Sequence, residues 1–174
     1  MILGMSESGK SVLAKCLVRR LRKANRKVVI YDPLLQRDWG TEPYDDSETV
    51  NAIMLEERKL HVFIDECGEV FRDYDSQREY AWWATRSRHY GHSVYFIAQR
   101  AVQIPRTMRD QCSRLYLFTS SATDGKIHAD EWNSSLLESC NRIPQLCCYK
   151  VSRFSPPQKL RVIPATKDVA YGWK

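Results

Sequence analysis

The residues with the clearest chemical meaning come at the start of the chain. Gly4-Met5-Ser6-Glu7-Ser8-Gly9-Lys10-Ser11 fits G-x-x-x-x-G-K-[ST], the pattern of a phosphate-binding loop. A loop that wraps a triphosphate must aim several backbone N–H groups at one point. Gly4 and Gly9 permit this, because they adopt backbone angles other residues resist and present no side chain to the phosphates. Lys10 then reaches the β- and γ-phosphates, and the Ser11 hydroxyl is placed to meet Mg²⁺. Val12 continues into a helix whose positive N-terminal end points at the same site, so the nucleotide-binding stretch is read as Gly4–Val12.

A second group of candidates lies at the ends of apolar runs. His61-Val62-Phe63-Ile64 reads as a buried strand of a parallel sheet, and it is followed at once by Asp65-Glu66. Carboxylates at such a tip are costly unless a cation or hydrogen bonds await them. Asp65 fits a Mg²⁺ holder, and Glu66 fits the base that polarises the water attacking the γ-phosphate. Ser93-Val94-Tyr95-Phe96-Ile97-Ala98 is another such strand, and Gln99 at its tip is suited to sensing the γ-phosphate or positioning water. Arg86 and Arg88 stand just before that strand and are candidates for a finger that completes a neighbouring subunit's site. Val28–Tyr31 ends in Asp32-Pro33, so Asp32 reads either as facing the ligand or as a strand-end cap.

Those side chains need a frame. Val12, Leu13, Cys16, Leu17 and Leu21 recur at helical spacing, which predicts a helix over Lys10–Ala24. A second helix is expected to be capped by Ser47 and to run through about Lys59, with Val50, Ile53, Met54 and Leu55 inward, and a third around Tyr80–Thr85 before Gly91. Arg100–Asp110 reads as irregular around Pro105, and Arg114–Thr119 as a strand. Ser120–Gly125 reads as a loop, and Asp130–Cys140 as a short helix with Trp132, Leu136 and Leu137 inward. Cys147–Phe154 and Leu160–Ile163 read as late strands, and Tyr171–Lys174 as a tail available for a subunit contact. Only Met1-Ile2-Leu3 precedes the loop, a short first strand. The alternation implies a three-layer α/β fold around a mainly parallel sheet, and Glu66 beside Asp65 with Gln99 on the next core strand points to the RecA/ASCE-like hydrolase branch of P-loop NTPases. One domain spanning 1–174 is expected, with a core over about 1–119 and terminal strands beyond it.

With 43% hydrophobic residues the chain should be globular, and it holds no apolar run near the roughly 20 residues of a membrane helix. No secretory leader precedes the loop, which points to the cytoplasm. The six cysteines show no C-x-x-C spacing and read as free buried thiols, with Cys147 and Cys148 on opposite faces of a strand. His89 and His92 have no nearby cysteine partners, which makes zinc a weak reading. The net charge of +6 is unevenly spread: eight Lys/Arg face a single Glu7 between Met1 and Ile30, and eight arginines fall between Arg72 and Arg114. Such patches suit a polyanion, although solvated helix surface accounts for the first cluster equally well.

Gly4–Ser11, Tyr31-Asp32-Pro33, Phe63-Ile64-Asp65-Glu66, Arg86–Gly91 and Ala98-Gln99-Arg100 together resemble the FtsK/HerA superfamily of DNA-pumping ATPases over about residues 1–119. Its compact members are the genome-packaging ATPases of membrane-containing icosahedral viruses and the Zot-like assembly proteins of filamentous phages. The resemblance implies an ATP- and Mg²⁺-dependent hexameric ring moving double-stranded DNA, in host cytoplasm or on the virion, with capsid or vertex proteins as further partners. It gives Lys10 and Ser11 to phosphate and Mg²⁺, Asp65 to the metal, Glu66 to base catalysis, Gln99 to sensing, and Arg86 or Arg88 to the finger. It makes Arg100, Arg106 and Arg109 candidates for lining the pore. The competing readings are a Zot-like assembly or secretion ATPase and a small-molecule P-loop kinase. The water-recruiting Asp65, Glu66 and Gln99 count against the kinase.

Overall fold

The computed structural model describes residues 1–35, 37–164 and 172–173. Its strands are β1 (Ile2–Leu3), β2 (Val28–Tyr31), β3 (His61–Ile64), β4 (Ser93–Ala98), β5 (Arg114–Leu117), β6 (Cys147–Ser152), β7 (Ser155–Ile163) and β8 (Gly172–Trp173). They form one sheet in the order β2-β3-β4-β1-β5-β6-β7-β8. The first five run parallel, and β6, β7 and β8 extend the sheet antiparallel. β1 is short, yet it is central: Ile2 and Leu3 pair with Ile97 and Ala98 on one side and with Tyr116 and Leu117 on the other.

The strands are apolar on both faces, so each face must be covered. On one side α1 (Lys10–Lys23) and the turn carrying Trp39 bury Leu13, Ala14, Cys16 and Val18 against Ile2, Ile30, Phe63, Ile97 and Val162. On the other side lie α2 (Ser47–Glu56), α3 (Cys67–Val70), α4 (Tyr74–Glu79), α5 (Trp82–Thr85), α6 (Arg106–Gln111) and α7 (Ala122–Trp132). Val50, Met54, Cys67, Val70, Trp83, Met108, Ala129 and Trp132 from these helices pack on Leu3, Val62, Ile64, Phe96 and Leu115. The result is the expected three-layer α/β arrangement. Cys147 and Cys148 do fall on opposite faces of the sheet, one with each core.

Local chemistry sets the helix ends. The Asp46 carboxylate accepts from Glu48 N and Thr49 N at the start of α2, so the cap is Asp46 rather than Ser47. α2 stops at Glu56, short of Lys59, and Leu55 is exposed rather than inward. Gly91, with φ 77°, ends the Ser87–Tyr90 turn ahead of β4.

The region after β4 departs most from expectation. Arg106–Gln111 is helical, because Pro105 precedes the helix instead of interrupting it. Ser121 caps α7 through Asp124 N, so the stretch read as a loop is the first turn of a helix. That helix ends at Asn133 in the left-handed conformation, and Ser135–Arg142 follows as a 3₁₀ segment with Leu137 buried and Leu136 exposed. Phe154 lies in the turn between β6 and β7 and is exposed. Gly172 and Trp173 pair with β7, while Tyr171 and Lys174 lie outside the described residues.

Arg109 does not line a pore. It is buried, donates from Nε and Nη2 to the Glu131 carboxylate, and donates from Nη1 to Ala101 O and Ile104 O. Truncating one partner of such a pair strands the other charge. Arg109→Ala should therefore lower unfolding stability by about 3–5 kcal/mol in urea denaturation. A double replacement of Arg109 and Glu131 by apolar residues of similar volume should cost less than the single change.

Candidate active site

Four of the parallel strands end in the residues of interest: β1 in Gly4, β2 in Asp32, β3 in Asp65 and β4 in Gln99. Because these strands run parallel, all four tips lie on one edge of the sheet. The loop leaves β1 there. A β-carbon on Gly4 would stand 2.6 Å from Phe118 Cβ, so Gly4 is required for space, while one on Gly9 would make tight contacts 3.0 Å from Phe118 Cε1 and 3.2 Å from Leu146 Cα. Both also have positive φ, 153° and 118°.

The loop is tied from behind by distant parts of the chain. Met5 N donates to Thr119 O (2.8 Å), Leu146 N to Ser8 O (2.9 Å) and Gln145 Nε2 to Glu7 O (3.0 Å). Inside it, Met5 O accepts from both Lys10 Nζ (2.8 Å) and Ser8 Oγ (2.7 Å). Thr119, Gln145 and Leu146 were not among the sequence candidates. No spacing signal marks them, because their role is a meeting of segments more than a hundred residues apart.

The acidic tip faces this loop. Asp65 is buried; its Oδ1 accepts from Glu66 N (3.0 Å), and its Oδ2 has no hydrogen-bond partner. Burial pushes the Asp65 carboxyl up to about 6, a rise to which Glu66 and Asp32 add and which Lys10 opposes. Burial likewise lowers the Lys10 ammonium from its usual value, against the pull of Glu66 and Asp65. Both ions are thus shifted toward their neutral forms, since their mutual attraction does not replace the water each has lost. An unbonded buried carboxylate oxygen at a phosphate loop, with the Ser11 hydroxyl on the same loop, is a hard oxygen donor set that fits Mg²⁺.

Glu66 adopts φ 47° and ψ 51°, a left-handed conformation costing about 1–2 kcal/mol for a residue with a β-carbon. It starts α3 in that strained state, which redirects its side chain relative to the strand. Asp32 takes the cap role: its Oδ1 accepts from Leu34 N (2.9 Å) and its Oδ2 from Trp39 Nε1 (2.7 Å).

Gln99 sits at the same edge, half-buried. Arg86 and Arg88 do not join it. Both are exposed and precede the start of β4, on the opposite rim, where Arg88 lines a cavity of about 390 Å³ with Trp83, Gln111 and Arg114. No residue of the phosphate loop lines that cavity. His92 is committed to backbone, with Leu60 N donating to Nδ1 (3.1 Å) and Nε2 paired with Met54 O (2.8 Å), so it is no metal ligand.

The family model of the zonular occludens toxin (Zot) matches residues 16–129, well over half of the chain. The chain belongs to the Zot family. Among curated proteins no sequence matches. Solved structures extend the likeness of this Zot-family chain in fold. The DNA-packaging ATPase B204 of Sulfolobus turreted icosahedral virus superposes with a TM-score of 0.75 at 16% identity, over 91% of this chain and 94% of that one. The genome-packaging NTPase B204 of Sulfolobus turreted icosahedral virus 2, bound to AMPPCP, gives 0.73 at 14% identity with the same coverage. The type VII secretion ATPase EccC of Thermomonospora curvata gives 0.70 at 13% identity over 95% of this chain, which spans 24% of that much longer protein. The fold is that of the P-loop NTPases.

The raised Asp65 pKa has a consequence for stability. Its folded value of about 6 lies above the ordinary value of 3.8, so its contribution is fully present at low pH and is lost as pH rises through about 6. Asp65→Asn should leave metal-free stability little changed near pH 4. At pH 8 it should raise stability by on the order of 1–3 kcal/mol, read by urea denaturation in EDTA.

Proposed function

We propose that this Zot-family chain is an ATP-hydrolysing motor that translocates or packages double-stranded DNA as a homo-oligomeric, six-membered ring. The observation that carries the reading is the convergence of Lys10, Glu66 and the unbonded Asp65 oxygen on one phosphate loop. A nucleoside triphosphate with its cation would offer each buried group an opposite charge, the phosphates to Lys10 and the metal to Asp65. The choice of DNA rests on the near end-to-end match in fold with B204, a DNA-packaging ATPase of the same compact size.

In this mechanism the N–H groups of Gly4–Val12 cradle the phosphates, and Lys10 leaves the Met5 carbonyl to meet the β- and γ-oxygens. Ser11 and Asp65 would hold Mg²⁺, which when bound screens the phosphate charge. Glu66 takes a proton from the attacking water, and Gln99 orients that water or reads the γ-phosphate from β4. Arg86 or Arg88, on the far rim of its own subunit, is free to reach the site of a neighbour. The assembly operates in host cytoplasm or on the virion, where capsid or vertex proteins dock it.

Family membership favours a second reading, an assembly or secretion ATPase that drives protein export with the same site. Both readings expect Lys10→Ala to abolish nucleotide binding. Both also expect Glu66→Gln to keep ATP binding while lowering kcat by about 10²–10⁴-fold, measured as phosphate release. Normal turnover by Glu66→Gln protein removes Glu66 as the base. The two readings part over stimulation. Linear duplex DNA should raise the ATPase rate of the assembled ring, whose mass reports the subunit number. Stimulation by a coat or membrane protein instead of DNA supports the second reading.

A further inference from the structure

We infer that Gln103 is a positioning residue for the hydrolysis proposed above: it clips the turn that carries Gln99 to the helix that follows Glu66. The sheet pairing of β4 with β1 ends at Ala98, which pairs with Leu3. Gln99 is therefore the first residue beyond that ladder, and its N–H and that of Arg100 need new acceptors. Gln103 supplies both. Its Oε1 accepts from Gln99 N and from Arg100 N, each at 2.9 Å. The backbone closes the same turn, with Gln103 N donating to Arg100 O at 3.2 Å.

The other side of the Gln103 amide is pressed against α3. A β-carbon on Gly68 would stand 2.5 Å from Gln103 Nε2 and 3.0 Å from its Cδ. Gly68 lies inside α3, two residues after Glu66, and is absent from the positive-φ residues. Glycine is a poor helix former, so at this position its use is space rather than backbone freedom. What it makes space for is the Gln103 side chain. From behind, buried Arg109 holds Ala101 O and Ile104 O of the same turn. The turn bearing Gln99 is thus gripped between Arg109 and the Gln103–Gly68 contact, and that contact links it to the segment bearing the candidate base. A side chain that orients water must be placed to within a fraction of an ångström, and small displacements are costly in rate.

The test uses the full chain and three variants. Gln103→Ala removes the acceptor. Gly68→Ala drives the amide off α3 while favouring the helix, so it keeps the protein folded. Gln103→Glu retains an acceptor oxygen. Gln103→Ala and Gly68→Ala should each lower kcat for ATP by about tenfold or more, with KM within about twofold of the parent. The double variant should be no worse than the single changes, and Gln103→Glu should recover most of the rate. Hydrogen exchange gives a readout independent of turnover: the Gln99 and Arg100 amides should lose protection in Gln103→Ala and keep it in Gln103→Glu. Unchanged exchange at those amides overturns the clip. Lost protection with unchanged kcat overturns its role in turnover. A parent protein without ATPase activity overturns the hydrolysis reading, and with it the catalytic role of Gln103, whereas the clip itself stands or falls on the exchange.

Discussion

Lys10 and Asp65 occupy a volume in which neither charge is fully solvated, and the architecture of the catalytic edge follows from that constraint. Burial pulls the lysine pKa down and the aspartate pKa up, although each attracts the other. Lys10 Nζ is bonded to the Met5 carbonyl rather than to this carboxylate, and one Asp65 oxygen has no hydrogen-bond partner. The deficit is tolerable because it is local and sits at the tips of strands whose bodies are apolar on both faces. Stability given up at the edge is supplied by the sheet beneath it, a common arrangement where a site is preorganised for a highly charged ligand.

Precision at that edge depends on contacts distant in sequence. The phosphate loop is anchored at Met5 by Thr119 and through the carbonyls of Glu7 and Ser8 by Gln145 and Leu146. The segment beyond residue 119 is therefore part of the nucleotide site's frame. Leu146, itself at positive φ, approaches Gly9 closely: a β-carbon there would stand 3.2 Å from Leu146 Cα, a tight contact that one of them must yield to. Asp32 is folded into a cap that draws Trp39 over α1, and its charge is felt at Asp65. A change in the loop, in the late strands or in the β2 turn is consequently transmitted to the same few ångströms.

Membership of the Zot family rests on residues 16–129, and the likeness in fold to packaging and secretion ATPases spans 91% and 95% of the chain. What the solved relatives share with this chain is the fold, and a fold does not by itself say what is moved. One fold therefore serves proteins described by different cargoes.

The loop, the acidic tip, the parallel core and the helix after the loop were legible from residue order, because each is encoded within a dozen neighbouring positions. A glycine pattern, an apolar run closed by carboxylates and a 3.6-residue period are local signals. Asp46 in place of Ser47 as a cap, the helix beginning at Ser121, and Pro105 as a helix start are also local. They were missed because several residues in each stretch could play the same part and packing chose among them. The burial of Arg109 is of another kind: an arginine reads as surface until Glu131, from a different helix, arrives to neutralise it. So too with the bare oxygen of Asp65, the left-handed Glu66 and the seat of Gln103 on Gly68. Chain order supplies the groups and their chemistry, but solvation and close approach are properties of three-dimensional neighbours, and those exist only once the sheet and its two helical layers have closed.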